Sequence, residues 1–430
     1  MATTKDQRHL YARLGGGSDG SIHCNKLQMA RPDYLRYEES RARYCVVCNS
    51  HQGTHKIYYE VYGNGPQAML LLMGLAGTHA HLEPQLEYFG IERGDQYSIC
   101  VVDNRGIGCS ETPIGRWRTT DLASDALQLL EHLAVAEGPR WAANVGLLGF
   151  SLGGMVAQEL VLLDPKRFSS LTLVSTHAGG VMGTLPPPRG IIPGLRACWG
   201  LARGGTHAID AGLDMLFPPS FLDAPCPKDH TYNGFAPTEV LRTNREHSAF
   251  LLIRRARKYV EAGLAPEVRL NGALRQLMAV ITHYVSWRRL ARLRAYQLEV
   301  LVVSGERDNI VGYRNARLLA EALCGKWLHF VDAGHGVSEQ HAAEVNAAVE
   351  ALVNRASRKT QEKPFLATQR KPERPGIHPL QVLVLWSIVA FAMLRRRLLG
   401  RFISFRFGSC WAAAFAAIYV RRTFGGFFAR

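Results

Sequence analysis

Residues 147–159 read LLGFSLGGMVAQE and place one serine, Ser151, in a glycine-rich turn. An apolar run precedes this serine, and an apolar helical pattern follows it until Pro165. A sharp turn from strand to helix strains its central residue and presents that residue's hydroxyl at the top of a sheet. Only small neighbours fit such a turn, and Gly149 and Gly153 supply them. The stretch therefore predicts a nucleophilic serine at position 151.

The same Gly-x-Ser-x-Gly spacing occurs a second time, around Ser18 in residues 16–20. No apolar strand precedes Ser18, and no helical pattern follows it. The motif predicts a nucleophile only in the strand–turn–helix context, which surrounds Ser151 and not Ser18. We therefore interpret Ser18 as a linker residue.

Strand-like segments alternate with helical patterns around the Ser151 turn. ARYCVVCNS and KIYYEVYGNGP predict two strands joined by a glycine-containing turn. Continuous apolar runs then read as strands buried on both faces of a sheet: QAMLLLMGLAGT, YSICVVDNRGIG, NVGLLG, LTLVS, LEVLVVSG and WLHFVDAG. This alternation predicts an α/β fold with a doubly wound, mostly parallel sheet.

Residues 177–297 interrupt the alternation with helical patterns and Pro-rich turns, which predict a helical cap over the carboxyl edge of the sheet. We assign the chain to six segments: a polar leader (1–41), a core in two parts (42–176 and 298–355), the cap (177–297), a linker (356–378) and a basic apolar tail (379–430).

The charge of the chain is concentrated at its C-terminal end. The net charge is +15, of which +13 falls from residue 355 onward. The tail holds two uncharged apolar runs, 379–394 and 407–420, bordered by arginines. A basic tail of this kind indicates an anionic membrane surface as partner rather than nucleic acid. It could form a short transmembrane helix, helices lying in the interface, or an apolar extension packed on the core.

The nine cysteines are scattered and odd in number, which predicts free thiols in a reducing compartment. The leader lacks the apolar core of a signal peptide. We therefore expect an intracellular, membrane-associated protein whose catalytic domain faces the cytosol.

A nucleophilic serine needs a base, and the base needs an orienting acid. Asp308 follows the strand LEVLVVSG, and His335 lies in a glycine-flanked loop after the next strand. Loops at the carboxyl ends of parallel strands converge at one edge of the sheet. The order Ser, Asp, His is that of one family of catalytic triads. We predict that Ser151, Asp308 and His335 form the triad.

Several other residues compete for these roles. Glu306 is a rival acid, because it lies in the same loop as Asp308. The reserve candidates, which fit contacts of the cap better than catalysis, are His177, Asp210 and His283. A zinc site is a further alternative that needs four convergent ligands, here Cys45, Cys48, His51 and His55; we favour ordinary hairpin residues at these positions.

The negative oxygen that forms during acyl transfer needs two N–H donors. The amide of Leu152, directly after the serine, is one candidate. The amide of Leu75, in the loop after LLLMG, is the other.

Six segments together resemble the α/β-hydrolase superfamily over residues 42–355. They are KIYYEVYGNGP, LLLMGLAGT, VVDNRGIGCSETP, GFSLGG, SGERDNIV and AGHG. The resemblance implies a nucleophile at Ser151, an acid at Asp308, a base at His335 and an oxyanion hole from the Leu75 and Leu152 amides. It implies structural roles for Asp103 and Arg105 of the DNRG segment.

One residue departs from the pattern of the family, and the type of nucleophile argues against two activities of the fold. Met73 stands where many members carry a histidine, whose side chain is usually not catalytic. The nucleophile is a serine, whereas dehalogenases and epoxide hydrolases of this fold use aspartate.

The first functional hypothesis is a serine hydrolase that cleaves a carboxylic ester through an acyl-enzyme, without a metal or organic cofactor. The apolar cap and the tail extend this expectation to lipid-like esters. The alternatives are a ligand-binding receptor or pseudoenzyme on the same fold, and an acyltransferase that uses an alcohol instead of water.

Overall fold

The computed structural model describes residues 43–49, 51–180, 183, 185–203, 206–226, 242–261 and 266–362. The chain separates into two compact units, Met1–Pro375 and Gly376–Arg430. All the described residues belong to the first unit. The predicted leader and tail lie outside the described residues.

The described residues form an eight-stranded sheet in the order β1-β2-β4-β3-β5-β6-β7-β8. The strands are β1 (Arg43–Asn49), β2 (Gly53–Tyr62), β3 (Gln67–Leu72), β4 (Tyr97–Val102), β5 (Val145–Phe150), β6 (Phe168–Val174), β7 (Glu299–Gly305) and β8 (Lys326–Phe330). The β1–β2 and β2–β4 pairs are antiparallel, and the other pairs are parallel. The predicted doubly wound, mostly parallel sheet is thus confirmed.

Burial along the strands follows their place in the sheet. Every residue of β4, β5 and β6 is buried, because helices cover both faces of the central strands. We predicted full burial for β8 as well, but its residues are only half-buried or exposed. The difference arises because β8 is an edge strand with a single neighbour.

Helices surround the sheet and fill the insertion between β6 and β7. They are α1 (Glu83–Gln85), α2 (Thr119–Ala136), α3 (Leu152–Leu163), α4 (Ile191–Arg203), α5 (Thr206–Leu216), α6 (Pro219–Leu222), α7 (Asn244–Glu261), α8 (Pro266–Ile281), α9 (Trp287–Ala295), α10 (Tyr313–Leu323), α11 (Val337–Gln340) and α12 (Ala342–Glu362). Short 3-10 turns occur at His79–Leu82, Pro139–Trp141, Pro165–Arg167 and Pro188–Gly190, and a π-helical turn at Leu86–Ile91.

Helix periodicity explains which faces are buried. In α2, Leu122, Ala126, Leu129 and Leu133 recur at helical spacing and are buried against the sheet. Helices α3, α9 and α10 contribute to the same apolar cluster. The opposite face of the sheet packs against α12 and the π-helical turn.

The insertion begins and ends at one place beside the sheet. Gly179 and Tyr284 form an antiparallel bridge, and the Val285 N–H donates to the Ala178 carbonyl at 2.7 Å. The segment that enters the insertion and the segment that leaves it are therefore neighbours.

At the C-terminal end of the described chain, α12 continues to Glu362. Residues 356–362, which the sequence analysis placed in the linker, are therefore helical. Across the described part of the chain, every helix is too short or too polar to span a bilayer.

Candidate active site

Ser151 occupies the turn between β5 and α3. Its φ of +54° is rare for a residue with a side chain, and the structure over-determines it through two hydrogen bonds. The Ser151 N–H donates to the Val174 carbonyl at 2.8 Å. The Thr176 hydroxyl donates to the Ser151 carbonyl at 2.8 Å. The end of β6 thus holds the strained turn in place.

The turn needs glycines because backbone segments approach it closely. A Cβ on Gly149 would meet the Gly153 backbone, and one on Gly153 would meet the Leu72 carbonyl. A Cβ on Gly74 would lie 2.9 Å from the Cβ of Ser151. The loop after β3 therefore lies directly against the serine turn.

These two loops flank the point where the order of the sheet reverses. From β3 the chain moves outward to β4 and then returns to the other side of β3 with β5. Open α/β sheets bind ligands in the crevice at such a point, beyond the carboxyl ends of the strands. The predicted oxyanion donors sit here: Leu75 follows β3, and Leu152 is the first residue of α3. The N-terminus of a helix favours negative charge.

The structure brings the predicted acid and base together. Asp308 Oδ2 lies 2.8 Å from His335 Nδ1, and both side chains are buried. The other carboxylate oxygen, Oδ1, accepts from the N–H groups of Ile310 and Val311 at 2.7 and 2.8 Å. The carboxylate is thus fixed by two backbone donors and one imidazole.

Contacts with the residues around Ser151 position His335. The ring of Phe150, the residue before Ser151, packs edge-on against the imidazole at 5.2 Å between centroids. The Ser175 hydroxyl donates to the His335 carbonyl at 2.8 Å. The His335 loop and the serine turn therefore share the end of β6 as a support.

The residues that were alternative candidates for the acid and base roles contact other side chains. Glu306 Oε2 faces His329 Nε2 at 3.3 Å. Asp210 pairs with Arg245 of the insertion at 3.8 Å. His283 Nδ1 lies 2.9 Å from the hydroxyl of Thr119.

His177 is the reserve candidate that lies nearest to the acid–base pair. Burial lowers its pKa to about 4, an effect that the charge of Asp308 opposes and that of His335 reinforces. Its Nδ1 accepts from the Gly179 N–H at 2.8 Å. His177 is therefore a neutral side chain at the junction of core and insertion.

The four residues of the zinc alternative are not brought together. Cys45 is buried, whereas Cys48 and His51 are exposed. His55 Nε2 faces Asp125 at 3.3 Å inside the protein. Cys45 and Cys48 lie on opposite faces of β1, because side chains alternate along a strand.

Asp103 and Arg105 occupy structural positions. Asp103 Oδ1 accepts from the His79 N–H at 2.9 Å, and Oδ2 accepts from the Cys109 N–H at 3.0 Å. Arg105 Nε donates to Asp125 at 2.5 Å. Both side chains are buried.

Sequence reasoning missed three residues that support the site. Ser175 holds the His335 loop, and the Asn104 amide donates to the Met73 carbonyl at 2.9 Å. Gln276 reaches in from α8 of the insertion: its Oε1 accepts from the Ala76 N–H at 3.0 Å, and its Nε2 donates to the Arg105 carbonyl at 3.0 Å. Ser175 and Asn104 each follow a buried strand, and this position in the sequence could have identified them as neighbours of the site. Nothing in the sequence around Gln276 indicates its contact with the site.

A pocket with an empty volume of about 440 Å³, its open mouth included, adjoins these loops. Three of its lining residues, Met73, Phe150 and Gly336, are direct neighbours of Gly74, Ser151 and His335. Its apolar wall comes from the insertion, through Leu216, Phe217 and Leu252.

The polar side of the pocket is charge-balanced. Arg255 lines it, and its guanidinium donates to Glu339 at 2.9 Å and to Glu83 at 3.3 Å. Burial lowers the pKa of His81, also in the lining, to about 4, an effect that Arg255 reinforces. The histidine is therefore neutral near pH 7. Arg254 also pairs with Glu83, so that two arginines face the two carboxylates.

Two family models match the chain. The one described as alpha/beta hydrolase fold matches residues 67–191, which contain Ser151. The one described as TAP-like protein matches residues 286–364, which contain Asp308 and His335.

Curated relatives share limited identity. The 3-oxoadipate enol-lactonase 2 of Acinetobacter baylyi is 23% identical over 299 residues, which cover 69% of this chain and 92% of that protein. The poly(3-hydroxyalkanoate) depolymerase of Ectopseudomonas oleovorans is 26% identical over 238 residues, 55% of this chain and 68% of that protein.

Solved structures share the fold. A thermophilic esterase from Thermogutta terrifontis superposes with a TM-score of 0.52 at 20% identity, over 73% of this chain and 99% of that one. An esterase from Exiguobacterium antarcticum gives 0.51 at 19% identity, over 73% and 100%. With the sheet order, the strained serine turn and both family models in agreement, the chain belongs to the α/β-hydrolase superfamily.

Proposed function

We propose that this protein is a serine hydrolase that cleaves an uncharged carboxylic ester through an acyl-enzyme on Ser151. The observation that carries the proposal is the buried Asp308–His335 hydrogen bond of 2.8 Å, held against the strained Ser151 turn by Phe150 and the end of β6. A serine, a histidine and a buried carboxylate in these relations are the parts that acyl transfer needs.

The reaction follows from these positions. Asp308 accepts a hydrogen bond from the Nδ1–H of His335, which leaves Nε2 as the basic nitrogen. His335 takes the proton of the Ser151 hydroxyl as the oxygen attacks the ester carbonyl, and returns it to the leaving alcohol. The amides of Leu75 and Leu152 stabilise the oxyanion, and water then releases the acid.

The pocket supports an uncharged ester. Leu216, Phe217 and Leu252 offer apolar contacts to an acyl or alcohol chain. A substrate carboxylate would have to compete with Glu83 and Glu339 for Arg255. Displacing either one would leave a desolvated charge without its partner, which is costly. The pocket therefore favours a neutral substrate.

The relatives support ester chemistry in general. One is named for an enol-lactone, which is a cyclic ester, and another for depolymerising a poly(3-hydroxyalkanoate). Both names concern carbon–oxygen bonds at an acyl group, the bond type that an acyl-enzyme on serine cleaves.

The test is turnover of a graded ester set. Nitrophenyl esters of acetate, butyrate and octanoate should be hydrolysed, and the nitrophenyl monoester of succinate, which carries a carboxylate, should be slower by about tenfold or more in kcat/KM. Ser151→Ala should lower turnover of the neutral esters by about 10³-fold or more.

Each alternative has its own outcome in this assay. Product esters formed on addition of glycerol, in excess over the free acid, would indicate an acyltransferase. Binding of the esters without turnover would indicate a receptor and contradict the proposal. Faster turnover of the succinate monoester would contradict the neutral-substrate assignment.

We also propose that the tail, residues 379–430, attaches the protein to an anionic membrane. Its support is the sequence: two uncharged apolar runs bordered by arginines, in a C-terminal region that carries +13 of the net charge. The full chain should therefore sediment with phosphatidylglycerol vesicles more strongly than a chain truncated after Pro375. Equal sedimentation would contradict this proposal.

A further inference from the structure

Helix α4, the first long helix of the insertion, turns large apolar side chains toward solvent. Ile191, Ile192, Leu195 and Trp199 are 53%, 62%, 54% and 57% exposed. With 3.6 residues per turn, these four positions fall within an arc of about 100° on the helix surface. They form one continuous apolar strip, which we call the α4 stripe.

The α4 stripe differs from the other exposed apolar residues of the described chain. Of the sixteen large apolar side chains exposed there, five lie between residues 185 and 199: the four of the stripe and Leu185. Single exposed apolar residues are normal on a protein surface, whereas contiguous ones mark interaction sites. The clustering therefore indicates a partner that offers an apolar environment to these side chains.

The charge around the stripe selects the kind of partner. Residues 177–209 contain three arginines and no aspartate or glutamate. Arg189 and Arg196 are exposed, and Arg196 is next to the stripe on the same helix. Isoleucine, leucine and tryptophan on one side, with arginine at the border, are typical of helices that lie in the interface of an anionic bilayer.

The stripe also lies beside the candidate active site. Gly190, directly before α4, approaches the carbonyl of Asn309 so closely that a Cβ would not fit. Asn309 follows Asp308 in the chain, and its amide donates to the Asp214 carbonyl of α5 at 2.9 Å. Helix α5 ends at Leu216, in the wall of the pocket. A surface that meets α4 is therefore close to the pocket's wall.

We propose that the α4 stripe docks on the surface of an anionic lipid bilayer. The stripe enters the boundary between headgroups and acyl chains, and Arg189 and Arg196 contact lipid phosphates. This contact brings the carboxyl edge of the sheet toward the membrane. The proposal concerns a surface distinct from the tail, and it does not depend on turnover at Ser151.

The first experiment compares two matched pairs of substitutions in the full chain. Ile192→Ser with Trp199→Ser removes half of the stripe. Ile114→Ser with Trp287→Ser removes a more exposed isoleucine and tryptophan elsewhere, at 85% and 64% exposure. With vesicles that mix phosphatidylcholine and phosphatidylglycerol, the stripe pair should weaken partitioning by about tenfold, and the control pair by less than about twofold.

The second experiment reads the contact locally, so that binding through the tail does not mask it. Amide hydrogen exchange of the full chain, with and without the same vesicles, should slow in peptides that cover Ile191–Arg203. Peptides that contain Ile114 should exchange equally in both conditions. Pure phosphatidylcholine vesicles should protect the helix less, because the arginine contacts to anionic lipid are missing.

Three results would overturn the proposal. The first is exchange in α4 that is the same with and without anionic vesicles. The second is an equal loss of partitioning in the stripe pair and the control pair. The third is protection of α4 that rises with protein concentration in the absence of lipid, which would assign the stripe to contact with a second copy of the chain.

Discussion

The two oxygens of Asp308 have separate tasks. Oδ1 accepts two backbone N–H groups, from Ile310 and Val311, and Oδ2 faces His335. The backbone donors fix the direction of the carboxylate, so that it holds one imidazole tautomer. Glu306 is only two residues away but faces His329.

Exchanging each carboxylate for its amide separates the two roles. Asp308→Asn should lower kcat by about 10³–10⁴-fold, because it favours the wrong imidazole tautomer while the geometry is kept. Glu306→Gln, the matched control, should change kcat by less than about twofold, since it contacts only His329. Steady-state kinetics on a neutral nitrophenyl ester measures both. The reverse pattern would make Glu306 the acid.

His177, which is buried, and His81, which is half-buried, make the stability of the protein depend on pH. Burial lowers the pKa of His81 and of His177 to about 4, below their ordinary 6.5. The folded state therefore binds fewer protons than the unfolded state in this range. The stabilisation is complete above pH 6.5 and is lost as the pH falls toward 4.

His177→Asn keeps an acceptor for the Gly179 N–H and removes the titrating group. The decrease in the free energy of unfolding between pH 7 and pH 5 should be smaller by about 2 kcal/mol in this variant than in the native chain. Urea titrations at the two pH values measure it. The control is His51→Asn, at an exposed histidine. An identical pH dependence in all three chains would contradict the effect.

At the scale of elements, helix α7 is held to the core by buried charges. Arg254 and Arg255 of α7 both pair with Glu83 of α1, and Arg255 also pairs with Glu339 of α11, next to the His335 loop. Both arginines and Glu83 are almost fully buried. Breaking a buried pair leaves a charge without compensation, which costs more than the pair contributes when intact.

Glu83→Gln should therefore lower the free energy of unfolding by about 3–5 kcal/mol. The matched control is Glu321→Gln, which breaks an exposed pair with Arg317 on α10 and should cost less than about 1 kcal/mol. Urea unfolding followed by intrinsic fluorescence gives both values. Equal and small losses in the free energy of unfolding would show that solvent reaches the side chains of Glu83, Arg254 and Arg255.

A second contact links the insertion to the loop that carries Leu75. Gln276 of α8 bonds the backbone at Ala76 and at Arg105, and Ala76 has a φ of +57°. The loop beside Ser151 is thus supported from the insertion. Its geometry, and with it the direction of the Leu75 amide, depends on a residue that is distant in sequence.

Gln276→Ala should lower kcat by about tenfold or more with little change in KM, because a misplaced oxyanion donor acts on the transition state alone. The control is Gln128→Ala, because Gln128 also bonds backbone groups, those of Cys48 and the carbonyl of Ser124, far from the loop. We expect kcat to fall for Gln276→Ala and to stay unchanged for Gln128→Ala. A rise in KM at constant kcat would instead place Gln276 in substrate binding.

At the scale of the whole molecule, local patterns predicted the sheet and the loops that carry the candidate site. All eight strands were predicted from the sequence. Strands β3 to β7 appear as continuous apolar runs because both of their faces are buried, and β1 and β2 appear as two strands joined by a glycine-containing turn. The site residues follow strands, and parallel topology alone brings such positions to one edge.

Long-range packing explains what the sequence analysis missed. The helical turns from His79 to Ile91 and helix α10 lacked a clear start signal. The half-buried state of β8 depends on its edge position, which no local pattern encodes. The contacts of Arg255 and Gln276 join residues about 170 to 200 positions apart, so only the folded chain reveals them.

Covalent labelling by a fluorophosphonate probe tests the central claim most directly, because the probe reacts with a serine only when a base and an oxyanion hole activate it. We predict that the native chain is labelled, that Ser151→Ala abolishes labelling, and that Ser18→Ala, at the other Gly-x-Ser-x-Gly sequence, leaves it unchanged. A folded native chain that stays unlabelled, or labelling that survives Ser151→Ala, would contradict the assignment of Ser151 as the nucleophile.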